Sequence, residues 1–183
     1  MSPETGIDRR VPQAMARLRR AQKRYGATPA LAGVDLEVRS GEVLAVLGAN
    51  GAGKTTALGL LTGRISPDAG EVELMGGDPR DPARRRGIGV MLQEAKLPDT
   101  LRVAEQIRLQ SSYYPNPRSV EETLALAQIA DLGRRSYGEL SGGQQRRVQF
   151  ALAICGRAPL IFVDEPSTGL DVDARRAMWQ VLR

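Results

Sequence analysis

Gly48-Ala49-Asn50-Gly51-Ala52-Gly53-Lys54-Thr55 is a glycine-rich turn that closes on a lysine and a hydroxyl. A backbone that wraps a polyphosphate must turn its N–H groups inward, and Gly48, Gly51 and Gly53 permit the dihedrals and close approach this needs. A helix starting at Lys54 would aim its positive end at the same phosphates. Lys54 adds a point charge, and the Thr55 hydroxyl is a ligand suited to Mg²⁺. The plain alternative is a glycine-rich turn ahead of a helix, with a lysine there by accident.

A second chemical group follows the apolar run Leu160-Ile161-Phe162-Val163, where Asp164 and Glu165 stand side by side. The mouth of a parallel sheet, at the strand ends, is where α/β ligands sit. An aspartate there can hold Mg²⁺ through its water shell, and an adjacent glutamate can orient and deprotonate water. A strand that merely ends in charge is the alternative.

The surrounding pattern supplies elements to position these groups. Val43–Leu47 is an apolar run between Gly41 and Gly48, expected as a buried parallel strand. A helical pattern runs from Lys54 to Leu61. Two short strands are expected around Arg17–Lys23 and Val34–Val38, separated by Gly26 and Pro29, with others at Gly70–Leu74, Ile88–Leu92 and Leu160–Val163. From about Ala95 to Leu140 the signals are helical, broken by Pro115 and Pro117, with a capping box at Ser119-Val120-Glu121-Glu122. Gln144–Cys155 reads as a helix, as does the stretch from Val172 onward. Residues 1–15 show no period and read as a mobile tail.

Composition bounds the class. The chain has 183 residues, 42% hydrophobic and 26% charged, enough for one domain with a real core. Its 26 basic residues against 21 acidic give +5, the balance of a solvated basic face more than of a nucleic-acid or membrane surface. Cys155 is the single cysteine, so an internal disulfide framework is excluded. No run approaches a membrane-spanning length, and Arg9, Arg10, Arg17, Arg19 and Arg20 leave no apolar stretch for a secretory signal. Arg84-Arg85-Arg86 reads as a solvated helix face, Cys155 and Trp179 as packing residues, and Tyr113-Tyr114 as a helix end packed on the helical lobe.

With Leu140-Ser141-Gly142-Gly143-Gln144-Gln145-Arg146-Arg147 added, the chain resembles the ATP-binding cassette, the nucleotide-binding domain of ABC transporters, over about residues 16–183. The resemblance implies an α/β P-loop NTPase (RecA-like) with a mostly parallel sheet core, an N-terminal antiparallel β region and an inserted helical subdomain at about 95–140. It implies Mg-ATP on Gly48, Ala49, Asn50, Gly51, Ala52, Gly53, Lys54, Thr55 and Thr56, with Tyr25 stacked on adenine. Thr55, Gln93 and Asp164 become magnesium contacts, Glu165 the water-activating carboxylate, and Lys54 the charge on the transferred phosphate. Ser141, Gly142 and Gly143 would touch ATP held by a second cassette, so the implied form is a homo- or heterodimer with ATP between its members. Ser167-Thr168-Gly169-Leu170-Asp171 resembles the loop that crosses this interface. A separate transmembrane permease would be the mechanical partner, with the cassette on the cytoplasmic face of the membrane. The wording is most similar to exporters of the drug-resistance and lipid- or polysaccharide-export kind.

Two departures stand out. Family members continue past the acidic strand to a further strand carrying a histidine that contacts the γ-phosphate, whereas this sequence stops at Arg183 and contains no histidine. Loss of such a contact lowers rate by on the order of 10²–10³. A truncated copy of a full cassette is the reading favoured by a sequence that stops inside the helical stretch Ala174–Leu182. A degenerate cassette that binds ATP but hydrolyses it poorly is the competitor. The missing strand would neighbour the phosphate-loop strand, leaving that strand's backbone groups unpaired. A soluble non-transport ABC ATPase acting on nucleic acid is a further alternative. The absence of heptads between Lys54 and Ser141 and the small net charge speak against it.

Overall fold

The computed structural model describes residues 13–93, 95–166 and 169–182. Strand β1 (Ala14–Tyr25) forms a hairpin with β2 (Thr28–Arg39), and its other edge takes β3 (Ala69–Leu74). All pairs are antiparallel, in the order β2-β1-β3. Ala16, Leu18 and Ala21 of β1 are buried. The spacing changes from two to three because the register slips between Leu18 and Ala21, where Arg20 adopts φ +46°. Gly70 makes this bulge possible, since a Cβ there would lie 2.4 Å from the Arg20 carbonyl oxygen. The strand begins at Ala14, so the tail expected to reach residue 15 ends earlier. Pro29, expected between strands, lies inside β2.

Helix α1 (Lys54–Leu61) packs Ala57, Leu60 and Leu61 under this sheet, against Leu31, Leu74, Ile88 and Phe162. The short α2 (Pro82–Arg85) leads into β4 (Ile88–Met91), which pairs in parallel with β5 (Leu160–Val163), Ile88 opposite Leu160 and Met91 opposite Val163. Parallel neighbours need a long crossover. Here it contains α3 (Val103–Ser111), α4 (Val120–Leu126) and α5 (Gly142–Ile154). With α6 (Val172–Leu182) these build a second core around Val103, Ile107, Ile129, Val148, Ile154 and Cys155.

Several local expectations are refined. Ser119 caps α4, its hydroxyl accepting from the Glu122 N–H at 3.0 Å. Glu122 does not complete a capping box among the described hydrogen bonds, because its carboxylate pairs with Arg157 at 2.7 Å and Arg118 at 3.4 Å. Arg84 is not simply solvated: its guanidinium donates to the Met75 carbonyl. Tyr114 packs against Gly156 and donates to the Ile88 carbonyl at 3.0 Å, whereas Tyr113 is largely exposed and Trp179 is 38% exposed.

The main correction concerns Val43–Leu47. The apolar run predicts a buried strand, but among the described residues it joins no ladder. Val43 is 67% and Leu47 90% exposed. An apolar run is a strand only where another strand satisfies its N–H and C=O groups. Among the described residues no strand lies beside this run, and it is open to solvent.

Candidate functional site

The phosphate-type loop leaves this open segment and enters α1 through Gly53, whose φ of 86° is left-handed. A Cβ on Gly53 would lie 2.4 Å from the Ala30 carbonyl oxygen and 2.7 Å from Leu31 Cδ2, so the turn against β2 requires glycine. Gly51 is also left-handed, at 81°, while Gly48 is not, which narrows the expected role of the three glycines. Ala57 N–H closes the first helical turn on the Gly53 carbonyl at 2.8 Å. The Lys54 ammonium folds back over the loop and donates to the Gly48 and Ala49 carbonyls at 2.8 and 2.9 Å. Loop residues Ala49, Asn50, Gly51 and Ala52 are exposed, and Thr56 continues the helix half-buried.

Thr55 reaches out of α1, its hydroxyl donating to Asp164 Oδ2 at 3.0 Å. Asp164 is 7% exposed, and its N–H extends the parallel pairing by donating to the Met91 carbonyl at 2.8 Å. Beyond it, Glu165 turns into the left-handed region at φ +46°. Gln93, just past the end of β4, donates from Nε2 to Glu165 Oε2 at 3.1 Å. Loop, acidic pair and Gln93 therefore meet at the C-terminal ends of the two parallel strands, the position at which such sheets bind ligands.

The Ser141 turn is built as a helix cap. Ser141 Oγ accepts from the Gln144 N–H at 3.4 Å, and Gln144 Oε1 accepts from the Ser141 N–H at 3.0 Å. Gly142 is open, since a Cβ there meets nothing within 4 Å, while one on Gly143 would approach the Gly169 carbonyl at 3.0 Å. Among the described hydrogen bonds, none joins Ser141, Gly142 or Gly143 to the phosphate-type loop. Tyr25 stands 53% exposed at the end of β1, likewise unjoined to the loop. Ser167 and Thr168 lie outside the described residues. Asp171 caps α6 by accepting from the Ala174 N–H at 2.8 Å, and this bond holds its carboxyl below the usual range. It also pairs with Arg147 at 3.1 Å.

Arg146 is the residue the sequence reading missed. It is 7% exposed, and its guanidinium donates to the carbonyls of Leu92 (2.6 Å), Gln93 (3.3 Å), Asp164 (2.7 Å) and Glu165 (2.7 Å) and to Gln149 Oε1 (2.8 Å). Burial pulls its pKa below the ordinary arginine value, against the nearby Asp164 and Glu165 carboxylates. A sequence signal existed: Arg146, Phe150 and Ile154 share one buried stripe at four-residue spacing, so the arginine occupies a core-facing position.

The donor set suits magnesium. Thr55 Oγ1, Asp164 and the Gln93 carboxamide offer hard oxygens, two of them 3.0 Å apart, and Mg²⁺ takes few protein ligands beside phosphate and water. The lack of any cluster of three or more His, Cys, Asp or Glu among the described residues is compatible with that mode.

The profile of the ABC transporter family matches residues 31–168. The chain is 38% identical over 178 residues to the Nod factor export ATP-binding protein I of Cupriavidus pinatubonensis, an alignment covering 93% of the chain and 54% of that protein. It is 38% identical over 170 residues to a daunorubicin resistance ATP-binding protein of Streptomyces coeruleorubidus, covering 89% and 54%. An Fe(3+) ions import ATP-binding protein of Mesorhizobium japonicum is 41% identical over 165 residues, covering 85% and 46%. The chain thus spans about half the length of the curated relatives it matches. Among solved structures, a dimeric bacterial ABC transporter cassette superposes with a TM-score of 0.81 at 28% identity, over 92% of this chain and 81% of that one. A post-hydrolysis cassette bound to ADP and Pi gives 0.83 at 28% identity, with the same coverage.

Proposed function

Since this chain belongs to the ABC transporter family, we propose that it is the ATP-binding part of a transporter, hydrolysing ATP to power transport by a separate membrane permease. The observation that carries this reading is the Thr55–Asp164 contact, which brings a phosphate-type loop and an acidic strand end into one oxygen-lined site. Mg-ATP would lie along Gly48–Thr56 with Tyr25 beneath the adenine. Bound magnesium would neutralise phosphate charge, held on the protein side by Thr55, Asp164 and Gln93. Glu165 would accept a proton from the attacking water, and Lys54 would swing from its loop carbonyls onto the phosphates.

The separate position of Ser141, Gly142 and Gly143 supports a site completed by a second cassette. Each turn would close on nucleotide held by the partner, in a homo- or heterodimer. No described helix is long and apolar enough to cross a membrane, so the permease would be another chain or segment. The helical subdomain at about 95–140 is the part proposed to face it, on the cytoplasmic side. The cassette unit is proposed to run over 16–183. No nucleic acid is expected as a partner.

The test is nucleotide binding and single-turnover hydrolysis by the chain and by Lys54→Ala. Saturable Mg-ATP binding that Lys54→Ala abolishes supports the reading. Equal affinity and turnover in the variant would refute it. A second reading, in which the chain holds ATP but turns it over slowly, is favoured by the exposure of Val43–Leu47, the segment that feeds the phosphate loop and joins no ladder among the described residues. Binding at ordinary affinity with hydrolysis depressed on the order of 10²-fold or more would select it.

A further inference from the structure

Arg146 stands at the head of α5, one turn behind Ser141, and reaches two strands at once. Its Nη1 holds the carbonyls of Leu92 and Gln93, just beyond β4, and its Nη2 holds those of Asp164 and Glu165, just beyond β5. These backbone groups have left the parallel ladder, and among the described hydrogen bonds the guanidinium is the partner of all four carbonyls where β4 and β5 end. Arginine suits the task because its planar fork carries five fixed donors, whereas an ammonium offers three from one point.

The bond to Glu165 has a further consequence. Glu165 is a non-glycine residue at φ +46°, a conformation disfavoured by roughly 1–2 kcal/mol for an L-residue. Such a conformation persists only where surrounding contacts over-determine it. The Nη2 bond to the Glu165 carbonyl, at 2.7 Å, is one contact that fixes it, and the Gln93 amide on the Glu165 carboxylate, at 3.1 Å, is another. Gln93 is itself positioned through its carbonyl by Nη1. Both restraints on Glu165 therefore lead back to one side chain on the helix that begins at Ser141.

We propose that Arg146 is a positioning residue that clamps the ends of β4 and β5 and thereby sets the Glu165 carboxylate and Gln93 at the geometry needed for hydrolysis. It ties that geometry to the orientation of the Ser141-Gly142-Gly143 turn. The inference rests on the function proposed above. Asp164 is also held without Arg146, through its N–H on the Met91 carbonyl and Thr55 on its carboxylate, so loss of the guanidinium falls on Glu165 and the chemical step more than on the holding of nucleotide.

The experiment measures Mg-ATP affinity and single-turnover hydrolysis of the full chain for wild type, Arg146→Lys, Arg146→Gln and Lys54→Ala. Loss of an ångström-scale constraint lowers the rate on the order of 10²-fold. Both Arg146 variants should fall by that amount, while affinity stays within about threefold, as for an interaction made in the chemical step alone. Retained affinity reports that the variants are folded. Arg146→Lys keeps the charge and much of the stem, so its failure to rescue the rate places the effect in the fork. The inference is overturned if either Arg146 variant hydrolyses at the wild-type rate, or if affinity and rate fall together. Unchanged binding in Lys54→Ala would instead remove the nucleotide reading itself, and this inference with it.

Discussion

The Thr55 hydroxyl and the Asp164 carboxylate, 109 positions apart in sequence, meet at 3.0 Å where α1 and the end of β5 converge. Asp164 is nearly buried and already bonded through its N–H to β4, so its carboxylate has little freedom to move. A hydrogen bond to a charged group contributes about 1.5–3 kcal/mol, or roughly tenfold and more in an equilibrium. Thr55→Val and Asp164→Asn should each weaken Mg-ATP binding by about tenfold or more, and the double variant should fall short of their sum. Titration calorimetry with and without magnesium checks this. Additive losses, or losses of the same size in chelator, would contradict a shared magnesium-dependent role.

The loop's two left-handed glycines should respond differently to alanine. At Gly51 a Cβ meets nothing, so Gly51→Ala carries only the backbone term, roughly 1–2 kcal/mol. At Gly53 the same term is joined by overlap with the Ala30 carbonyl and Leu31, and overpacking adds about 1–3 kcal/mol. Urea unfolding of the two variants should therefore give a clearly lower midpoint for Gly53→Ala. Indistinguishable midpoints would mean that the approach of the loop to β2 is not rigid.

Val43–Leu47 presents exposed apolar side chains and joins no ladder among the described residues, and such a segment is open to intermolecular strand pairing. Self-association should follow protein concentration, and Leu47→Lys should suppress it with a change in stability within about 0.5 kcal/mol, as expected of an exposed site. Light scattering across a concentration series, beside urea unfolding, is the measurement. Unchanged association in Leu47→Lys would place the sticky surface elsewhere.

The helix at Lys54–Leu61 and the strand at Leu160–Val163 match the sequence reading because local pattern alone determines them: an apolar face behind a glycine cap, and a short apolar run ending in carboxylates. The meeting of Thr55 with Asp164 was legible from their shared suitability for Mg²⁺ and from the family resemblance, since no local pattern states a contact across so many residues. Val43–Leu47 shows the limit from the other side. Apolarity predicts that a segment is able to be a buried strand, but pairing depends on a neighbour that the segment does not encode. Arg146 escaped for a similar reason. Its partners are backbone carbonyls, which carry no residue-type signature, so only its place on the Phe150–Ile154 stripe betrayed it.

Cys155 offers a test of how firmly the second core is closed. It is fully buried at the end of α5, with its thiol donating to the Leu152 carbonyl at 3.2 Å, and burial pushes the thiol pKa up. A folded-state pKa above the unfolded one means that the neutral thiol's contribution to stability is complete below the unfolded value, about 8.5, and is lost as pH rises through the folded value. Unfolding free energy should therefore decline above about pH 8.5 more steeply in wild type than in Cys155→Ala. At pH 8 a disulfide-exchange reagent should label the native thiol at least ~10³-fold more slowly than the urea-unfolded chain, because access requires opening of the core. Rapid native labelling, together with parallel pH profiles for the two proteins, would show that α3 and α5 part readily and that this core is not closed around the sulfur.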